Sequence, residues 1–415
     1  MMPSPLAGYW PGPWPCEDGG PTRPGAAATP AGRALGLRPG DALTVTARPA
    51  PGATMVILRA PGEVFLTGHT FGDDVTAWVE RLDPVTLATR ARSPDLPAGP
   101  FWPGGMAAHR NGLLYVTCGR WCHALDPDLT VVARRELPRP RPYNSLLVLP
   151  DGSLVMKDLI RDGADHSRLT VLDPDSLAPR CAEVDIPEAS IARLSADGDT
   201  LYVVGDHTAF RFHWDTRATR LALDDGWRVP YRRVADQSYG WDPVVAAGHL
   251  WFMDNGDHRY QGTMRGAGVA AGPVHLIRAA LADGRCDFLP VCGLPAGAIT
   301  NPPLVDPGRR IVVAFDSANA HLGAWRFGDE GYTPLWTQPF GTASHLLRYP
   351  DTGELVVNDH GAGGDDVVVL DLETGAELGR AATTSPLQSV VFPAVGFGRE
   401  FYYCSFACVA RVAVG

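Results

Sequence analysis

Residues 144–158 read NSLLVLPDGSLVMKD, and their pattern decides the fold. An apolar run ends in Pro150-Asp151-Gly152, and a second apolar run follows at once. Asp and Pro initiate turns and Gly supplies positive φ, so the stretch predicts two antiparallel strands joined by a tight turn. The same wording recurs at Pro61-Gly62, Asn111-Gly112, Asp197-Gly198, Ala247-Gly248, Pro307-Gly308, Thr352-Gly353 and Phe397-Gly398, with successive glycines 40 to 60 residues apart. A period of that size marks a stacked or radial repeat.

A second turn follows in most units: Leu82-Asp83-Pro84, Leu125-Asp126-Pro127, Leu172-Asp173-Pro174, Trp214-Asp215-Thr216 and Leu370-Asp371-Leu372. Each unit thus reads strand A, Gly turn, strand B, polar loop, strand C, Asp turn, strand D. Four antiparallel strands per unit describe a propeller blade. The expectation is an all-β chain with a single β-propeller of eight blades over residues 41–415. The count falls to seven if the unit from Trp102 to Pro138 forms no blade. The last unit has room for three strands only. Ala42-Leu43-Thr44-Val45-Thr46 is read as its missing outer strand, which closes the ring and protects its edges. Residues 1–40, rich in Pro, Gly and Ala, are read as an irregular N-terminal arm.

The chain has 415 residues, 45% of them hydrophobic, and a formal net charge of -10. An acidic chain without basic runs is a poor partner for nucleic acid or an anionic membrane. No signal-peptide pattern stands at Met1 to Trp14, so a cytoplasmic location and a monomer acting on a small molecule are expected. The eight cysteines include two C-x3-C pairs, Cys118/Cys122 and Cys404/Cys408. Structural zinc favours tighter pairs in sets of four, so reduced, buried strand cysteines are expected.

Propeller geometry places the Gly and Asp turns on one face of the disc, and the B–C loops and D–A links on the other. The repeated turns suit a structural role. The irregular loops are where function resides. They carry His69, Asp73 and Asp74; Asp158, Arg161, Asp162, Asp165 and His166; Asp206 and His207; Asp254, Asn255, Asp257, His258 and Arg259; Asp316, Asn319 and His321; Asn358, Asp359, His360, Asp365 and Asp366. The links add Asn144, Trp241, Asp242, Asn301, His345 and Gln388. An Asp ends strand B in five successive units: Asp158, Asp206, Asp254, Asp316 and Asp359. Such residues either bind backbone N–H groups of their own loops or converge as hard oxygen ligands for Ca²⁺ or Mg²⁺.

Three further features stand out. Lys157 is the only lysine in the chain and sits beside Asp158. It is a candidate to polarise a carbonyl, or else an ion-pair partner of that Asp. His345 and His360, both in unit seven, are candidate proton carriers. The Gly-rich loop from Asp254 to about Pro273 reads as a mobile cover of the channel mouth.

Residues 144–158, and Ser195 to Asp206, resemble the repeat of the gluconolactonase, regucalcin and strictosidine-synthase-like propellers. The resemblance implies a divalent cation, most often Ca²⁺, that polarises a lactone or ester carbonyl, with Asn144 and Asp206 among its ligands. That family usually has six blades, against eight counted here. The Asp-x-x-Thr-Gly turn at Asp371 to Gly375 is similar to quinoprotein-like repeats, which can have eight. The expected activity is a gluconolactonase-like lactone or ester hydrolase. Asn144, Asp206, Asp254 and Asn301 hold the metal in that reading, and Lys157, His345, Asp359 and His360 do the chemistry. The alternative is a non-catalytic propeller that binds a ligand or a protein.

Overall fold

The computed structural model describes residues 6–72, 74–160 and 165–415. Asp73, Arg161 and Asp162, named above, lie outside the described residues.

The stretch at 144–158 shows how a blade forms. Tyr143–Val148 and Leu154–Asp158 pair antiparallel, with Val148 opposite Leu154 and Asn144 opposite Lys157. Gly152 makes the reversal at φ +93°, and a β-carbon there would stand 3.1 Å from side-chain atoms of His109 and Arg110. Asp151 Oδ1 accepts a hydrogen bond from the Ser153 backbone (2.9 Å). Its Oδ2 accepts from Arg180 (2.8 Å) and from Trp214 Nε1 (2.9 Å), which ties blade 3 to blade 4. Arg168–Leu172 and Val184–Asp185 complete the sheet.

Eight such sheets form among the described residues. Their inner strands are Ala53–Leu58, Gly105–Ala108, Tyr143–Val148, Ser195–Asp197, Val244–Ala246, Leu304–Asp306, Leu347–Tyr349 and Ala394–Val395, for blades 1 to 8 in order. The unit from Trp102 to Pro138, on which a count of seven depended, forms blade 2. Its strands are Gly105–Ala108, Leu114–Cys118, Trp121–Leu125 and Val131–Glu136. The N-terminal strand Leu43–Pro49 pairs with Cys408–Val414, Leu43 opposite Val414 and Pro49 opposite Cys408. It is the outer strand of blade 8 and closes the ring as the sequence predicts. On the inside, the Phe392 backbone donates to Thr54 O (3.0 Å) and joins blade 8 to blade 1.

The apolar core lies between the faces of neighbouring blades, in clusters such as Val312, Val313, Phe315 and Leu370, all fully buried. The Asp turns are scaffold. Asp83, Asp173 and Asp371 each accept backbone hydrogen bonds from the residues two and three positions on. Cys118, Cys122, Cys404 and Cys408 are buried free thiols.

Residues 6–40 run across the Gly-turn face. They contain one 3-10 turn, Glu17–Gly19, with single bridges from Tyr9 to His109 and from Trp14 to Leu58. Further along, Ala196 donates to Pro21 O, Val245 to Thr22 O and Arg348 to Gly25 O. Trp14 and Leu35 are fully buried. The segment therefore touches one inner strand after another and closes the central channel from this face. Burying a Trp and a Leu side chain is worth a few kcal/mol, roughly 2 to 3 each.

Candidate functional site

A cavity of about 360 Å³ opens on the opposite face, at the axis of the ring. The links between blades build most of it, because each link turns inward to start the next inner strand. Phe101, Trp102 and Pro103 come from the link before blade 2, Asn144 from the start of blade 3, and Ile191 and Arg193 from the link before blade 4. Trp241 and Asp242 precede blade 5, Thr300 and Asn301 precede blade 6, and Val390 and Phe392 precede blade 8. Phe406 joins them from a B–C loop.

The long loop of blade 5 adds His258, Arg259 and Tyr260. It spans the mouth and is fastened on the far side. Gln388 Oε1 accepts from Thr263 Oγ1 (3.1 Å) and from the Met264 backbone, and the Gln388 backbone donates to Gly262 O (2.9 Å). Tyr260 donates its hydroxyl to Gln388 O at 2.7 Å.

The inner end of the cavity is polar and charged. Arg193 donates to Glu17 of the arm (2.9 Å), Gly104 O (3.1 Å) and Pro103 O (2.6 Å), with its guanidinium 4.4 Å over the Phe392 ring. Arg23 bonds Glu17 (2.9 Å), Asp18 (2.5 Å) and Leu194 O (3.0 Å). His345 Nδ1 lies 2.8 Å from Asp18 Oδ1, and its ring packs on Phe392 with centres 4.1 Å apart. Burial alone would raise the Asp18 carboxyl, but His345 and Arg23 outweigh it and hold the pKa at about 2. The arm thus backs the site through Arg193.

Two acceptors in this wall make no hydrogen bond. Asp242 Oδ1 accepts from the Arg193 backbone at 2.7 Å, yet Oδ2 makes no hydrogen bond. Arg23 Nη1 and Arg193 Nε stand 3.9 and 4.0 Å from it. Asn144 donates to Ile191 O (2.6 Å), and its Oδ1 is likewise unpartnered. Both residues are at least 99% buried, where an unmet acceptor costs free energy comparable to a lost hydrogen bond. Burial pushes the Asp242 pKa up, opposed by Arg23 and Arg193.

The structure divides the four oxygen donors named from the sequence. Asn144 and Asn301 line the cavity. Asp206 and Asp254 stay in their own loops. Asp254 is fully buried and accepts from Gln237 Nε2 (2.6 Å), the His275 backbone (2.6 Å) and His275 Nδ1 (2.9 Å). Asp206 is half-buried, and burial followed by Glu188 raises its pKa to about 6. Among the described residues no three His, Cys, Asp or Glu side chains are grouped so as to hold a metal ion. At the cavity, the carboxylate that would lead such a set, Asp242, already has two guanidiniums within 4.0 Å. The donors gathered here do not fit Ca²⁺ or Mg²⁺, which take six or more oxygens.

The proton-carrying candidates are also apart. Lys157 is fully buried behind the cavity wall, donating to Ser190 O (2.7 Å) and Asp158 O (3.3 Å). Burial lowers its pKa to about 7. Its neighbour Asp158 turns to the Arg168 backbone and Arg141 instead. Asp359 accepts from the Gly341 backbone (2.9 Å) and Arg380 (2.9 Å), and His360 Nδ1 lies 3.7 Å from Asp365. Only His345 comes near the cavity, packing on Phe392 of its wall and beside Asp18 of the arm. Of the five strand-end Asp residues, Asp158, Asp254, Asp316 and Asp359 each accept from backbone N–H groups. Sequence reasoning missed Arg193 and the arm residues Glu17, Asp18 and Arg23, because nothing local marks a contact across 170 residues.

No protein-family model matches the chain, and no curated protein matches it. Solved structures match its fold. BamB from Moraxella catarrhalis is 14% identical, with a TM-score of 0.57 over 89% of this chain and 99% of that one. The quinohemoprotein alcohol dehydrogenase ADHIIG from Pseudomonas putida HK5 is 11% identical, with a TM-score of 0.62 over 98% and 81%. A europium-containing methanol dehydrogenase is 10% identical, with a TM-score of 0.61 over 95% and 89%. At these identities the likeness concerns the eight-bladed propeller fold alone.

Proposed function

We propose that this chain binds a small molecule in the central cavity, with a hydrogen-bond-donating group of the ligand at its inner end. The observation that carries this reading is the pair of buried, unpartnered acceptors, Asn144 Oδ1 and Asp242 Oδ2, in one cavity. A native interior rarely leaves such oxygens unmet on two residues lining one cavity unless something else supplies the donors. The walls suit an organic body: Trp102 and Trp241 lie at a 49° tilt with ring centres 6.5 Å apart, and Trp241 also contacts His258 at 5.9 Å. Apolar walls with a few convergent polar groups are the usual make-up of a ligand pocket.

A second reading keeps hydrolysis of a lactone or ester in the same place. It is favoured by Asn144 and Asn301 lining the cavity beside Asp242, whose raised pKa suits a general base. Lys157, Asp359 and His360 have no part in it.

Ligand-observed NMR with 1,2-butanediol, butylamine and γ-butyrolactone tests both readings. Binding by wild type that is lost in Asp242→Asn, which replaces the free acceptor by a donor, supports the binding site. Binding that is indifferent to this substitution, or no binding by any probe, overturns it. Turnover of the lactone that is lost in Asp242→Asn establishes the second reading.

A further inference from the structure

The cavity continues outward over an aromatic shelf between blades 1 and 8. Phe101 and Phe406 belong to the cavity wall. Phe71, from the B–C loop of blade 1, packs on both, with ring centres 5.5 and 5.8 Å away. Its surface is nonetheless 56% exposed, and among the described residues it is the only aromatic in the group of exposed large hydrophobic side chains. His69 lies underneath, 2% exposed, with its ring centre 5.3 Å from Phe71 and 4.8 Å from Phe101. Its Nδ1 is 2.8 Å from Thr70 O, where it donates, and burial lowers its pKa, so the ring is neutral at neutral pH. Three phenyl rings, Phe406, Phe101 and Phe71, therefore make one apolar surface over the buried His69, beginning in the cavity wall and ending in solvent.

An exposed apolar patch joined to a pocket marks where a partner's apolar surface lies. The occupant is constrained from both ends. At the inner end of the cavity Asn144 Oδ1 and Asp242 Oδ2 make no hydrogen bond, and a cavity of about 360 Å³ is at the small end for ligand pockets. A molecule with its polar head at the inner end and more than a few carbons beyond it emerges over Phe406, Phe101 and Phe71.

We propose that the ligand is an amphiphile, with a hydrogen-bond-donating head at Asn144 and Asp242 and an apolar tail laid along this shelf. The proposal rests on the cavity-binding reading above and adds the tail subsite. Calorimetric and NMR titration with 1,2-butanediol, 1,2-hexanediol and 1,2-octanediol tests it. In wild type, affinity rises by up to about fourfold per methylene along the series. In Phe71→Ser, a substitution at an exposed position, 1,2-butanediol binds as before and the rise toward octanediol flattens. An equal rise in Phe71→Ser, or butanediol binding without dependence on chain length in wild type, overturns the tail subsite and leaves the cavity reading standing. Binding by none of the diols overturns the tail subsite, and the cavity reading falls as well if butylamine and γ-butyrolactone also fail to bind.

Discussion

Glu17 Oε2 lies 2.9 Å from Arg193 Nη1, and the pair joins the N-terminal arm to the link between blades 3 and 4. Glu17 Oε1 is at the same time 2.9 Å from Arg23. One buried carboxylate thus serves two buried guanidiniums. Removing it in Glu17→Ala leaves both under-compensated, at a cost of about 3 to 5 kcal/mol. Urea unfolding of the variant checks this. A loss under about 1 kcal/mol would show that the arm does not brace the channel.

Gln388→Ala removes the side-chain half of the fastening of the blade 5 loop, whose Thr263 and Met264 both donate to Oε1. The blades themselves keep their ladders. Amide hydrogen exchange over residues 261–266 should speed up by more than tenfold, while exchange in the strand His249–Met253 stays unchanged. Unchanged exchange in the loop would mean that it is held by other contacts.

Lys157 titrates near pH 7 in the folded chain because burial disfavours its charge, against about 10.4 when unfolded. Between those values the unfolded chain binds the proton and the folded chain does not. The sign is then fixed: this group makes stability rise with pH from about 7 to about 10. Lys157→Met should flatten that part of the stability profile, measured by urea midpoints at pH 7, 8 and 9. An identical slope in the variant would contradict a neutral buried lysine.

Gly152→Ala tests the turn that the fold reading began from. At φ +93° with two side chains 3.1 Å from the added carbon, the substitution should cost about 1 to 2 kcal/mol. Gly248→Ala, also at positive φ but with open space, should cost less. Thermal unfolding of the two variants gives the comparison.

The contrast between Asp173 and Asp254 shows how far a sequence reading carries into function. Asp173 sits in a turn that repeats, and its hydrogen bonds run to residues two and three positions on. Asp254 looked like one of several converging ligands, yet its carboxylate closes its own loop through His275 and Gln237. A strand-end Asp is the same letter in either role. Which backbone or side-chain donors reach it depends on loop paths that have no period.

By itself the sequence determined the blade, its four strands and the closing strand around Ala42 to Thr46, and it narrowed the count to eight or seven. Those follow from turn chemistry and alternating apolar runs, which act within about 45 residues and repeat. It also determined the face on which the irregular residues gather. Only the tertiary structure decided which of them meet. Asn144, Arg193, Trp241, Asp242 and Asn301 come together because the ring brings links from blades 3 to 6 to one axis. Glu17 and Arg23 join them because the arm, unmarked by any pattern, buries Trp14 and closes the channel from the Gly-turn face. Contacts of that kind are set by burial and charge compensation across the whole disc, and short-range pattern carries no trace of them.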